Sequence, residues 1–386
     1  MDADKKTCKN EEPVPENEHQ NPQTGPILLP GLPNHLALLC LLTLPPYLLY
    51  KVCKSWRRLI YSPDFPPYFA LYAILCQIRL EGQSQSHSIN LSCFDPISSK
   101  WISLPSPSFD PSLSLLRRHP SYISRILPTQ STTASGRLVL ISANTDKFHP
   151  VLARPLVYDP RSNNWSLGPM LSTPRRWCIT GPVRGAIYVT SGTGAQFNSE
   201  VARCNERWDV SKKETEWVWE KLAPYRDGRF SREAIEAVGY RGKLCMVNVN
   251  GTSAKEGAVY DIASDRWEDM PRGMLRGWNG PATIDAAADA MYVVDRGSGS
   301  LSKYDGDNDR WDVIIESLEC LRGAEQISAR GGKVSVVSDG GRRIVMVDVL
   351  VGPPRVWILD PPRGMEVIAV HVLPKPRILE SEQFSG

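Results

Sequence analysis

Apolar and polar residues alternate in short runs along most of the chain. The clearest runs are GAIYVTSG (185–192), GKLCMVNV (242–249), DAMYVVDRG (289–297) and GKVSVVSDG (332–340). Each is rich in β-branched and aromatic residues and bounded by Gly or Asp, which predicts short strands ended by turns. A different period holds near the N-terminus. In YLLYKVCKSWRRLI (47–60) the apolar positions are 48, 49, 52, 56, 59 and 60. That spacing predicts an amphipathic helix with Lys51, Lys54, Arg57 and Arg58 turned to solvent. Ahead of it, Pro33-Asn34 can open a helix at His35, and Pro45-Pro46 ends that helix. Residues 1–26 are polar, contain proline and lack periodicity, which predicts disorder.

A phrase recurs between the strands. VYDIASDRW (259–267) and KYDGDNDRW (303–311) stand 44 residues apart, with FDPISSKW at 94–101 and YDPRSNNW at 158–165. The Asp-to-Trp pairs are Asp95/Trp101, Asp159/Trp165, Asp261/Trp267 and Asp305/Trp311. Looser copies place Trp217 and Trp219 after Asp209, and Trp357 after Asp348. Most intervals between the marker tryptophans lie near ~45–55 residues, the range of propeller blades. The first is longer because of a Ser/Pro-rich insert, 106–135. Inside the phrase, Asp, Asn, Ser and Gly supply turn chemistry. The Trp opens the next strand, where its ring can wedge between neighbouring sheets. Each repeat then holds about four short strands and no helix, and six of them predict a mainly β fold, a six-bladed β-propeller. Closure of the ring falls to EVIAVHVL (366–373), expected to pair with the first sheet around 72–80 and 88–94. A β-sandwich with a linker is the alternative, and the regular spacing weighs against it.

Composition narrows the function classes. The 386 residues carry a formal net charge of +3 and no long Lys/Arg run, so no nucleic-acid partner is expected. The most apolar segment, 36–50, is too short to cross a bilayer and is interrupted by Pro45 and Pro46, so no membrane span is expected. The charged N-terminus has no apolar stretch and does not read as a secretory signal. Nine cysteines without a CxxC pair fit a reducing compartment, cytoplasm or nucleus. The histidines, 19, 35, 87, 119, 149 and 371, show no metal-ligand spacing, and neither a P-loop nor G-x-S-x-G occurs. GTG (192–194) and GSG (297–299) read as hairpin fragments. No catalytic residue, cofactor or metal is therefore expected. The 42 acidic residues leave a propeller carbohydrate-active enzyme as a further alternative, and a copper oxidase would need a Tyr/His set.

The strand Tyr-Asp, the Trp six residues later and the following Leu104-Pro105 or Met270-Pro271 resemble the kelch motif, over about 72–373. The Gly-Gly pair typical of kelch is replaced by SGTG (191–194), VNGT (249–252) and RGSGS (296–300). In the N-terminal module, 27–66, the steps Leu32-Pro33 and Leu44-Pro45 and the run Val52-Cys53-Lys54-Ser55-Trp56-Arg57-Arg58-Leu59-Ile60 resemble a small all-α F-box. Two departures are a short gap between Pro46 and Val52, and leucines at 38 and 39 where charge is common. The combination resembles the plant F-box/kelch-repeat class. The resemblance implies a non-catalytic substrate-recognition adaptor of an SCF-type ubiquitin ligase. Its helices would bind the Skp adaptor, and through it a cullin-RING ligase, with Leu32, Pro33, Leu36, Leu44, Pro45, Leu49, Val52, Cys53, Trp56, Leu59 and Ile60. That role needs Leu32-Pro33, Val52, Trp56 and Leu59 to be exposed. The propeller, 67–373, would bind the protein to be ubiquitinated, and 374–386 would form a tail. The alternative is a non-ligase kelch scaffold, for example cytoskeletal, with the helices capping the ring.

One feature recurs in phase about ten residues past several marker tryptophans: Arg175, Arg176 and Trp177; Arg229, Phe230 and Arg232; Arg276 and Trp278; Arg322. Equal phase places them on one face, in loops joining the outer strand of one blade to the inner strand of the next. Kelch resemblance implies that such loops bind partners. Arg beside aromatics suits an acidic or phosphorylated peptide. The competing reading is that each Arg packs on a neighbouring Asp or closes a blade.

Overall fold

The computed structural model describes residues 27–62, 64–66, 68–77, 89–107, 129–143, 152–226, 235–248 and 255–376. The chain divides between residues 66 and 67 into a helical unit and a β unit.

In the helical unit, α1 spans Asn34–Leu42, α2 Pro46–Val52 and α3 Lys54–Tyr61. Pro33 and Pro45 are the N-caps of α1 and α2, where a missing amide removes nothing from the helical ladder. The single helix expected over 47–60 is in fact two, because Cys53 is extended, φ −154° and ψ 168°. A one-residue break barely disturbs the apolar period, which is why the spacing conceals it. Arg57, expected in solvent, turns back instead. Its Nε donates to the Tyr50 carbonyl at 2.6 Å, and its guanidinium lies 4.8 Å from the Tyr50 ring centroid. One of the carbonyls that α2 leaves unbonded is thereby satisfied.

The β unit contains six four-stranded antiparallel sheets. Blade 1 is Phe69–Gln77, Ile89–Asp95 and Lys100–Ser103, with Met365–Pro374 as its innermost strand. Blade 2 is Thr129–Ala134, Arg137–Ala143, Leu156–Asp159 and Asn164–Leu167. Blade 3 is Ile179–Val183, Ala186–Thr190, Asn205–Asp209 and Trp219–Lys221; blade 4 is Ile235–Tyr240, Lys243–Asn248, Gly257–Asp261 and Arg266–Asp269. Blade 5 is Ala282–Asp285, Ala290–Val294, Leu301–Asp305 and Arg310–Ile315; blade 6 is Gln326–Arg330, Lys333–Ser338, Arg343–Asp348 and Arg355–Leu359. The innermost strands neighbour one another around a closed ring. Closure uses the C-terminal strand, with Leu71 opposite Val372 and Ala73 opposite Val370. Six buried apolar clusters, one at each blade–blade interface, hold the ring together.

The repeated phrase has a physical reason in every blade. Asp95, Asp159, Asp209, Asp261, Asp305 and Asp348 each accept a bond, at 2.9–3.1 Å, from the amide two residues on. This is an Asx turn between the third and outer strands. The tyrosine before the Asp then grips the far side of the turn. Tyr158 donates to Asn163 at 2.7 Å and Tyr304 to Asp309 at 2.7 Å, with a short bond from Tyr260 to Asp265. Asn163, Asp265 and Asp309 all sit at positive φ, where Asn and Asp are tolerated.

Two expectations for the β unit are corrected. Residues 129–135, assigned to the Ser/Pro-rich insert, include the inner strand of blade 2. That strand borders the central channel, and half-exposed Ser131 and Thr133 take the place of apolar residues, so it lacks a strand-like hydrophobic pattern. The repeats also hold short helices, Ser199–Arg203 within blade 3 and Arg272–Gly277 between blades 4 and 5. The predicted disorder of 1–26, most of the insert (108–128) and the tail beyond 376 lie outside the described residues.

Candidate functional site

Two surfaces matter, one on each unit. On the helical unit, Trp56 Nε1 donates to the Leu28 carbonyl at 2.8 Å and the Leu28 amide donates to Asn34 Oδ1 at 3.2 Å, so the segment before α1 is tied to α3. Trp56 is half-buried, and Leu49, Leu59 and Ile60 are buried. The expected exposure of Leu59 is therefore corrected, and Trp56 already spends its one donor. Leu32, Pro33, Leu36, Leu44, Pro45, Val52 and Cys53 are exposed, Val52 to 59%. Leu39 (61%), Tyr47 and Leu48, which the motif did not single out, join them. So many large apolar side chains on three short helices form a surface that water solvates poorly.

On the β unit, the described Arg-bearing segments do lie in crossovers from an outer strand to the next inner strand. Their chemistry differs from one to the next. Arg175 is fully buried, paired with buried Glu206 and donating to the Ser191 carbonyl at 3.3 Å. It closes blade 3 and does not reach a ligand face, because no solvent remains around its guanidinium. Arg176 stacks 4.4 Å from the Trp177 ring centroid, and its amide and carbonyl both bond Thr193 at 2.9 Å. Partial burial lowers the pKa of its guanidinium. Trp177 has φ +53° and donates its amide to Gln130 at 3.0 Å. Trp278 is fully buried, its indole bonded to the Gly280 carbonyl at 3.1 Å, so it is core and not a contact residue. Arg276 is exposed on the Arg272–Gly277 helix. Arg322 is exposed and pairs with Glu319 at 3.1 Å. Arg229, Phe230 and Arg232 lie outside the described residues.

The structure brings together a set that sequence reasoning missed. Lys255 Nζ donates to the Arg276 carbonyl at 3.1 Å and to Asn279 at 2.7 Å. Asn279 donates to Asp295 at 3.0 Å, and Asp295 holds the amides of Gly297 and Ser298, both at 2.8 Å. Arg296 Nε donates to the Ala324 carbonyl at 2.8 Å, and its Nη2 stands 3.6 Å from Glu236 in the channel wall. Loop 295–300 is thus the hub linking the Arg276 and Arg322 crossovers. The available signal is RGSGS (296–300), which the sequence offers as a stand-in for the kelch Gly-Gly pair, with GSG as a hairpin fragment. Among the described residues no group of three His, Cys, Asp or Glu side chains could hold a metal ion.

The chain is 46% identical over 356 residues to the F-box/kelch-repeat protein SKIP25 of Arabidopsis thaliana, covering 90% of each protein. It is 27% identical over 314 residues to the F-box protein AFR of the same plant, covering 76% of this chain and 75% of that one. A third similarity, 23% over 302 residues, is to the F-box/kelch-repeat protein SKIP4, covering 77% and 78%. No family model matches the chain.

Proposed function

From the premise that the chain belongs to the F-box/kelch-repeat family, we propose that it is the target-recognition subunit of an SCF-type ubiquitin ligase. The helical unit docks on the Skp adaptor, and through it on a cullin-RING ligase. The propeller holds the protein to be modified. The chain catalyses nothing itself, ubiquitin transfer takes place on other subunits, and the site of action is cytoplasm or nucleus. The observation that carries this reading is the exposed apolar set Leu32, Leu36, Leu44 and Val52 at the F-box positions, joined by exposed Tyr47 and Leu48. Pull-down of the Skp adaptor tests it, using the full chain, Leu36→Asp/Val52→Asp and, as a control, Leu350→Ser in the propeller. Recovery by the wild type and control but not the double variant is expected. Equal recovery by all three, or by none, overturns the reading.

For the target, the crossover face offers Arg176 stacked on Trp177, Arg276, and Arg322. Planar donors beside aromatic area favour an acidic or phosphorylated peptide. An array of such peptides probed with the wild type and with Arg176→Ala/Arg276→Ala should show loss of capture by the variant. Identical patterns from a folded variant would remove these arginines from the site.

A further inference from the structure

The inner strands enclose a central channel of about 690 Å³. At the end away from the crossovers, the turns between first and second strands ring its mouth. Ser135-Gly136 (φ +50° and +76°), Arg184-Gly185 (+48° and +82°) and Arg241-Gly242 (+45° and +77°) have two successive left-handed residues, the signature of a type I′ turn. The first position of such a turn favours Asn, Asp or Gly, because a Cβ crowds the following carbonyl there and only the short polar side chains of Asn and Asp offset this by bonding the local backbone. Blades 3 and 4 nevertheless both place Arg at it. Blade 6 adds Arg330 just before Gly331-Gly332. A residue chosen against local preference points to a gain made elsewhere.

All three arginines line the channel. Arg184 is exposed and lies over the neighbouring turn, where a Cβ on Gly242 would come within 2.8 Å of its Nη2. This sets it beside Arg241. Arg330 rests 3.7 Å from the Phe69 ring centroid. Of the nearby acids, Asp307 (2.6 Å) and Asp289 (4.0 Å) serve Arg241. Asp285 is buried and spent on the amides of Gly332 (2.8 Å) and Ala287 (3.2 Å). Among the described residues no carboxylate forms an ion pair with Arg184 or Arg330.

We propose that this mouth binds a small multivalent oxyanion, with Arg184 and Arg241 on one side, Arg330 on the other, and the body of the molecule in the channel. The volume suits a small molecule, and guanidinium forks recognise phosphate and carboxylate alike. The site is independent of the ligase reading. Isothermal titration of the full chain with sodium tripolyphosphate and with citrate, in ~150 mM salt so that diffuse attraction is screened, tests it. Saturable binding of one anion per chain is expected with at least one of them. It should weaken at least tenfold in Arg184→Asn and in Arg330→Gln and stay unchanged in Arg310→Gln, an exposed arginine of blade 5. Asn suits the left-handed position, so Arg184→Asn should keep the wild-type melting temperature, separating lost binding from lost fold. Absence of saturable binding, wild-type affinity in either mouth variant, or equal weakening by Arg310→Gln would overturn the proposal. Tighter binding of a single-stranded oligonucleotide than of either small anion would do the same.

Discussion

The indole Nε1 of Trp311, in the outer strand of blade 5, donates to the carbonyl of Met274, in the crossover entering that blade, at 3.1 Å. The relation repeats. Trp101 reaches Asp360, Trp165 reaches Pro105, Trp219 reaches Pro169 and Trp267 reaches Ala223, at 2.7–3.1 Å. The marker tryptophan is therefore a clasp that fastens each crossover to the outer edge of the blade it leads into. In blade 5 the clasp is double, because Asp309 also accepts from the amides of Gly273 and Met274 at 2.8 Å. Blade 6 is the exception: among the described residues Trp357 makes no such bond, and it is 37% exposed.

The clasp predicts unequal tolerance. Trp311→Phe should cost about 1 kcal/mol for the lost bond and the stranded carbonyl. Trp311→Ala should cost roughly 2–4 kcal/mol, with the cavity added. Trp357→Phe should fall within about 0.5 kcal/mol of the wild type. Urea midpoints measure all three, and equal losses at 311 and 357 would remove the clasp from the account. Gly277→Ala should also destabilise, since a Cβ there meets the Trp311 ring.

The ring was legible because its elements carry local reasons. The Asp of the Asx turn recurs in every blade, and in four of them a Trp follows it by six residues whatever the strands between them contain. What escaped depends on partners distant in sequence. The strand TQSTTA borders a channel, so the hydrophobic alternation that marks other strands has no cause there. Cys53 breaks a helix without shifting its apolar period. Arg175 and Arg176 are adjacent and chemically identical, yet one is buried and the other stacks on Trp177, a difference made by Glu206 some thirty residues on. The same distance hid Leu59, whose burial no motif position reveals.

The pair Arg175–Glu206 gives a test of that difference. Both side chains are buried, and removing one leaves the other charge without a partner or solvent. Glu206→Gln should cost roughly 3–5 kcal/mol, while Arg175→Met/Glu206→Leu should recover most of the loss. Denaturant midpoints of the two variants decide it. A single variant as stable as the double would mean that the pair is not desolvated.

Glu236 makes a pH-dependent prediction. Burial pushes its carboxyl up from 4.5 to about 7, with the Arg296 charge pulling the other way. The unfolded chain gives up this proton near its ordinary value, the folded chain only near 7. Stability is therefore lost as pH rises through that window, and the penalty is complete above it. At pH 8, Glu236→Gln should be more stable than the wild type by roughly 1–3 kcal/mol; near pH 4 the two should coincide. Urea unfolding at both values tests this, and a constant difference would mean packing and not charge.

His371 acts in the opposite sense on the strand that closes the ring. It is buried in Met365–Pro374 with Nε2 2.9 Å from Ser131 Oγ, and burial lowers it from 6.5 to about 4. Tyr72, donating to the Pro374 carbonyl at 2.6 Å, and Gln326, bonding the Val370 amide at 2.7 Å, hold the same strand. The unfolded chain takes up a proton near its ordinary value, the folded chain only near 4. This site therefore stabilises fully above 6.5 and loses roughly 3 kcal/mol as pH falls to 4. Between about pH 4.5 and 6.5 the Glu236 and His371 contributions run against each other and largely cancel. Separating them is the test. Relative to the wild type, Glu236→Gln should melt progressively lower as pH falls from 6.5 to 4.5, whereas His371→Gln should melt progressively higher. Parallel melting curves for the two variants across pH 7, 6 and 5 would show that neither group titrates from the position the ring gives it.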